Sequence, residues 1–85
     1  MRYVATLRVR PKAEIRDPQG EAVSAALRAL GFAVTAVRTG KEMVVTFDAV
    51  DEPTALDAVR TMGQELLANP VIEVYEFDLR ELARA

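Results

Sequence analysis

Asp17-Pro18-Gln19-Gly20 divides two kinds of hydrophobic pattern, and the fold follows from reading outward on both sides of it. Upstream, from Arg2 to Arg10, the chain alternates: Tyr3, Ala5, Leu7 and Val9 fall on one side, and Arg2, Thr6, Arg8 and Arg10 on the other, with Val4 interrupting the polar side. A period of two marks a half-buried strand. Downstream, Val23, Leu27 and Leu30 recur at helical spacing beside Ala22, Ala26 and Ala29, small enough for close packing on a sheet. The tetrapeptide is therefore a strand-to-helix corner. Asp17 can accept from the free N–H groups of the first helical turn, and Pro18 suits a first helical position that has no partner for an N–H. Gly20 admits a second backbone at close range. Gln19 has no such backbone duty, so the corner is either a helix cap and nothing more, or a cap that offers Gln19 for contact.

The rest of the chain repeats these signals. Gly31 fits the left-handed residue that closes a helix, with Phe32 as the apolar residue after it. A second strand is expected over Val34 to Arg38 and a third over Lys41 to Asp48, joined by a tight hairpin turn at Thr39-Gly40. Asp51-Glu52-Pro53 opens a second helix whose apolar positions are Leu56, Val59, Met62 or Gly63, and Leu66. Asn69-Pro70 ends it, with Asn69 suited to a left-handed conformation, and a last strand runs from Val71 to about Leu79. The order strand, helix, strand, strand, helix, strand predicts a two-layer α+β sandwich of the ferredoxin-like type. Its antiparallel sheet would carry both helices on one face. Residues 1–80 form one domain in this reading, and 81–85 a polar C-terminal tail.

Composition narrows the chemistry. The 85 residues carry 11 basic and 13 acidic side chains, a formal net charge of −2, with neither cysteine nor histidine. Thiol nucleophiles, disulfides, histidine bases and His- or Cys-bound zinc are excluded at once. The charge gives no case for nucleic acid or an acidic membrane, and no apolar run reaches membrane-spanning length. The expected location is the cytoplasm. Arg8, Arg10 and Lys12 read as a solvated strand edge, Gly40-Lys41 as an ordinary turn, and Glu73, Glu76 and Asp78 as solvated carboxylates with no nucleophile beside them. Val4, Val44, Ile72 and Val74 are β-branched residues assigned to the helix-free face, where their clustering suggests a surface for self-association. The residues thus describe a non-catalytic association domain, with no catalytic, cofactor or metal site expected.

Several segments in order resemble one family. Strand 1 ending near Pro11-Lys12, the Asp17-Pro18-Gln19-Gly20 corner, Val37-Arg38-Thr39-Gly40-Lys41, and Leu66-Leu67-Ala68-Asn69-Pro70-Val71-Ile72-Glu73 look like the PurS subunits of phosphoribosylformylglycinamidine synthase. Gly63 departs from the pattern, since members often carry a cysteine after the helix-2 methionine. The resemblance implies a subunit of a carbon–nitrogen ligase of purine biosynthesis. That complex converts formylglycinamide ribonucleotide, ATP and glutamine to formylglycinamidine ribonucleotide, ADP, phosphate and glutamate. ATP and magnesium would belong to the large PurL synthetase subunit, ammonia release to the PurQ glutaminase, and bridging between them to this chain, itself a homodimer or tetramer. Asp17, Pro18, Gln19, Gly20, Gly40, Lys41 and Asn69 are the expected docking residues. An ACT-like regulatory domain that binds small molecules shares the element order, but would have a glycine-rich first corner where Pro18 and Gln19 stand here.

Overall fold

The computed structural model describes residues 1–82. Strand β1 (Arg2–Pro11) is followed by helix α1 (Pro18–Ala29), strand β2 (Lys41–Asp48), helix α2 (Glu52–Met62) with a π-helical turn over Gly63–Leu67, and strand β3 (Glu73–Glu81). The strands make one antiparallel sheet in the order β2-β1-β3. This is the expected ferredoxin-like α+β class, in the order β-α-β-α-β.

The alternation in β1 decides which face is dry. Leu7 lies between Met43 and Phe77, Ala5 between Val45 and Leu79, and Tyr3 opposite Phe47, the two rings 6.1 Å apart and tilted by 32°. Helix α2 covers this face with Ala55 and Val59, both fully buried, as are Ala5 and Leu7. It starts at the expected Asp51-Glu52-Pro53, where the Asp51 carboxylate caps it by accepting the Thr54 N–H at 2.9 Å. The helix widens into a π turn where Gly63 meets the Tyr75 ring. A Cβ on Gly63 would lie 2.6 Å from that ring, so the residue that departs from the family pattern makes room for an aromatic. Asn69 then stops the helix, but not by a left-handed backbone, since only Gly31 has positive φ among the described residues. Its carbonyl instead accepts the Ile72 and Glu73 N–H groups, and its side chain accepts the Val71 N–H. Strand β3 reaches Glu81, one residue into the expected tail, while 83–85 lie outside the described residues.

Two expectations fail together. Val34 to Arg38 forms no strand, and Thr39-Gly40 forms no hairpin. The favoured two-residue hairpin turn needs positive φ at both central residues; here the chain runs directly from the far segment into β2. Nor does α1 share the sheet face with α2. It ends in a Schellman motif, Phe32 N–H donating to Leu27 O and Gly31 N–H to Arg28 O, with Gly31 at φ 96°. Yet Val23 is 41% exposed, Leu30 75% and Phe32 60%. Helix α1 packs on residues 34–37 behind it: Gly20 touches the Val37 carbonyl, and Arg28 donates to the Val34 and Thr35 carbonyls. The pair leaves the sheet as an arm. The molecule spans 51 × 32 × 14 Å with a radius of gyration of 16.7 Å, against about 12 Å for a compact chain of this length.

Candidate docking surface

The neck where the arm leaves the sheet is built from the corner that opened the sequence. Asp17 is 6% exposed, and its carboxylate does more than cap α1. It accepts the Gly20 N–H at 2.9 Å, the Thr39 N–H at 2.6 Å and the Thr39 hydroxyl at 3.0 Å. The Thr39 and Gly20 N–H groups hold this carboxyl below the usual carboxylate range. Its contribution to the neck is complete above the ordinary carboxylate range and fades as pH falls through its lowered value. Arg38 ties the other pass of chain, donating to the Lys12 carbonyl at 2.9 Å and the Ile15 carbonyl at 2.8 Å. Pro18 and Gln19 stand exposed on the outside of this closed corner, while Gly20 is buried against Val37. No Cβ fits on Gly20, because its backbone is seated against the Val37 carbonyl and the Asp17 carboxylate.

The other docking candidates lie at the same end of the sheet. Gly40 packs on the Val9 carbonyl, where a Cβ would come within 2.5 Å. Lys41 reaches Glu73 at 3.9 Å, and the Glu73 carboxylate accepts the Asn69 N–H at 2.8 Å. Between the neck and β3 lies an open cleft of about 600 Å³ lined by Arg10, Lys12, Glu14 and Arg38 among others. The seven residues, separated by up to 52 positions in sequence, thus converge through Thr39 and Glu73. Sequence reading missed Arg38 and Thr39 as neck residues. Neither Asp17–Thr39 nor Arg38–Ile15 has a spacing that marks it, because both contacts depend on where the arm returns.

The apolar residues assigned to self-association do not form one patch. Val4 and Val44 are diagonal neighbours on the outer face, since Val4 opposes Thr46 and Val44 opposes Thr6. Val74 opposes Arg10, six residues farther along β1 (about 20 Å), and Ile72 precedes β3. Ion pairs occupy the space between: Arg8–Asp78 at 2.8 Å, Arg8–Glu76 at 3.4 Å and Arg10–Glu76 at 3.5 Å. Arg8 and Arg10 of β1 and Glu76 and Asp78 of β3 are therefore each other's partners. The arm carries a further group of exposed apolar side chains, Val23, Leu30 and Phe32.

No helix among the described residues is long and apolar enough to cross a membrane. A small α+β chain with a wired neck and an unburied apolar arm is built for association. The family model of PurS, phosphoribosylformylglycinamidine (FGAM) synthase, matches residues 4–81. The chain is 40% identical over 84 residues to the PurS subunit of Synechocystis, covering 98% of this chain and 84% of that protein. It is 39% identical over 82 residues to that of Bacillus subtilis, covering 94% and 95%. Among solved structures, Thermus thermophilus PurS superposes with a TM-score of 0.88 at 45% identity, covering 98% of this chain and all of that one. A chain of the PurLQS structure from Thermotoga maritima gives 0.86 at 31% identity, covering 94% and 99%. This chain belongs to the PurS family: it is a subunit of FGAM synthase, the ligase complex of purine biosynthesis.

Proposed function

We propose that this subunit acts in the cytoplasm as a bridge between a large PurL synthetase, which holds ATP and magnesium, and a PurQ glutaminase, helping ammonia pass between them. The observation that carries this reading is the convergence of Asp17, Gln19, Gly40, Lys41 and Asn69 at one end of the sheet, on a wired and rigid neck. The likeness to a chain of the T. maritima PurLQS structure supports the choice of partners. Ammonia must travel neutral, and an amine released into water near pH 7 is protonated almost completely. A subunit that orders and seals the junction is thus valuable without doing chemistry.

Gln19 tests the docking role. Its exposed side chain contributes to no hydrogen bond among the described residues, so Gln19→Ala should leave the thermal midpoint within about 2 °C. The same change should weaken co-elution with the two larger subunits on size exclusion. Unchanged co-elution would reduce the corner to a helix cap.

The subunit acts as a homo-oligomer in this reading, assembled by exchange of the arm. In a closed fold, residues 34–38 would lie beside β2, which is an open edge of the sheet. A second copy can fill that place in the same register, Val34 and Ala36 opposite Val45 and Met43 of the partner subunit, which keeps apolar residues on the α2 side. Helix α1 would then bury its apolar face beside α2 of the partner subunit, restoring two helices to each sheet.

A further inference from the structure

If exchange is the mode of assembly, closed and exchanged forms share most contacts, and the two passes of chain through the neck, residues 12–17 and 38–40, decide between them. Both forms pair 34–38 with a β2 in the same register. They differ in whether the chain turns back at Thr39-Gly40 or passes straight through, and in the association cost of the second copy. The structure puts unusual wiring at this point. Thr39 gives both its N–H and its hydroxyl to a carboxylate that is 6% exposed. Arg38 gives two hydrogen bonds to carbonyls of the 12–15 strap. That strap is itself anchored to the entry of β3, Lys12 N–H donating to Ile72 O at 2.8 Å.

We infer that Asp17, Arg38 and Thr39 form a hinge lock that holds residues 38–40 straight and so selects the exchanged dimer over the closed monomer. The proposal rests on the exchange reading above. A turn back at Thr39-Gly40 requires left-handed φ at both residues, which β-branched Thr39 resists. It would also rotate the Thr39 peptide away from Asp17. The carboxylate would keep the Gly20 N–H and lose its other donors, and a buried charge stripped of partners is strongly disfavoured. Gly40 adds a second restraint, since its backbone is seated on the Val9 carbonyl in the straight form. The three side chains are positioning residues in this proposal, acting on the course of the chain.

The absence of cysteine makes the test clean. Thr35→Cys with Val44→Cys places two thiols at opposed positions of the shared register, both exposed in the single chain. Oxidation links two chains in the exchanged form and closes one chain on itself in the other, a difference read directly by denaturing electrophoresis. With the native hinge, the covalent dimer should dominate. Adding Asp17→Asn, or Thr39→Asn to place Asn-Gly at the turn, should shift the product toward the internally linked monomer by about fivefold or more, with a matching loss of dimer mass by light scattering before oxidation. A variant that lowers thermal stability but keeps the native product ratio would reduce the lock to a cap and overturn the proposal while leaving exchange intact. An internally linked monomer with the native hinge would overturn exchange itself, and the lock with it. Should Asp17→Asn fail to fold, Thr39→Asn alone decides, because it leaves the cap of α1 in place.

Discussion

FGAM synthase reconstituted without this chain should lose tenfold or more of its glutamine-dependent rate, while synthesis driven by added ammonia falls much less. The asymmetry follows from what a bridging subunit does. Ammonia supplied in excess reaches the synthetase site from bulk solution, so its use needs no sealed junction. Ammonia released by the glutaminase is protonated and diluted unless the junction holds it. A tenfold loss corresponds to about 1.4 kcal/mol in the rate-limiting barrier, a small demand on a subunit that only orders its neighbours. Adding back the wild-type chain should restore the glutamine rate, and Gln19→Ala should restore it less completely. Equal losses from both nitrogen sources would mean that the chain is needed for the synthetase itself and not for transfer. No loss from either would remove the bridging role altogether.

How far the sequence leads depends on whether a feature is local. The alternation of Tyr3, Ala5, Leu7 and Val9 names the core face, because side-chain parity along a strand needs no knowledge of its neighbours. The Asp17 cap, the helix start at Asp51-Glu52-Pro53 and the Gly31 terminus are legible for the same reason, each being complete within a few residues. Gly20 is legible as a close approach, though not its partner, Val37. Residues 34–38 mark the limit. Their β-branched content, Val34, Thr35 and Val37, describes a strand whether its neighbour is in the same chain or another, so no local signal separates a hairpin from an arm. Parity has a matching weakness. It places Val4, Val44 and Val74 on one face correctly, but only the register shows Val74 far from the other two with arginines and carboxylates between. The Asp17–Gly20 corner is readable as a cap and as an exposed Gln19. The neck that holds it was not, because Thr39 lies 22 positions from Asp17 and arrives only when the arm returns.

The largest change should come from the tip of the arm. Leu30 and Phe32 are 75% and 60% exposed in the single chain, and exchange would bury both of them on the partner's sheet. Burying a leucine or phenylalanine side chain contributes about 1.5–3 kcal/mol, and a two-fold dimer contains four such side chains. Replacing Leu30 and Phe32 by glutamate removes roughly 6–12 kcal/mol of association energy and adds charges where the sheet face is apolar. At about 1.4 kcal/mol per tenfold, the dissociation constant should rise by about 10⁴-fold or more. Light scattering at micromolar concentration should then give a dimer or larger for the wild type and a monomer for the double variant. The wild type should also melt at a temperature that rises with protein concentration, as association-linked stability requires, and the variant should not. Helical circular dichroism separates a folded monomer from a collapsed chain, since α2 and the Leu7 core are untouched by the substitutions. A wild-type monomer at micromolar concentration, or a double variant that dimerises as tightly as the wild type, would show that the arm is not the surface through which this subunit associates.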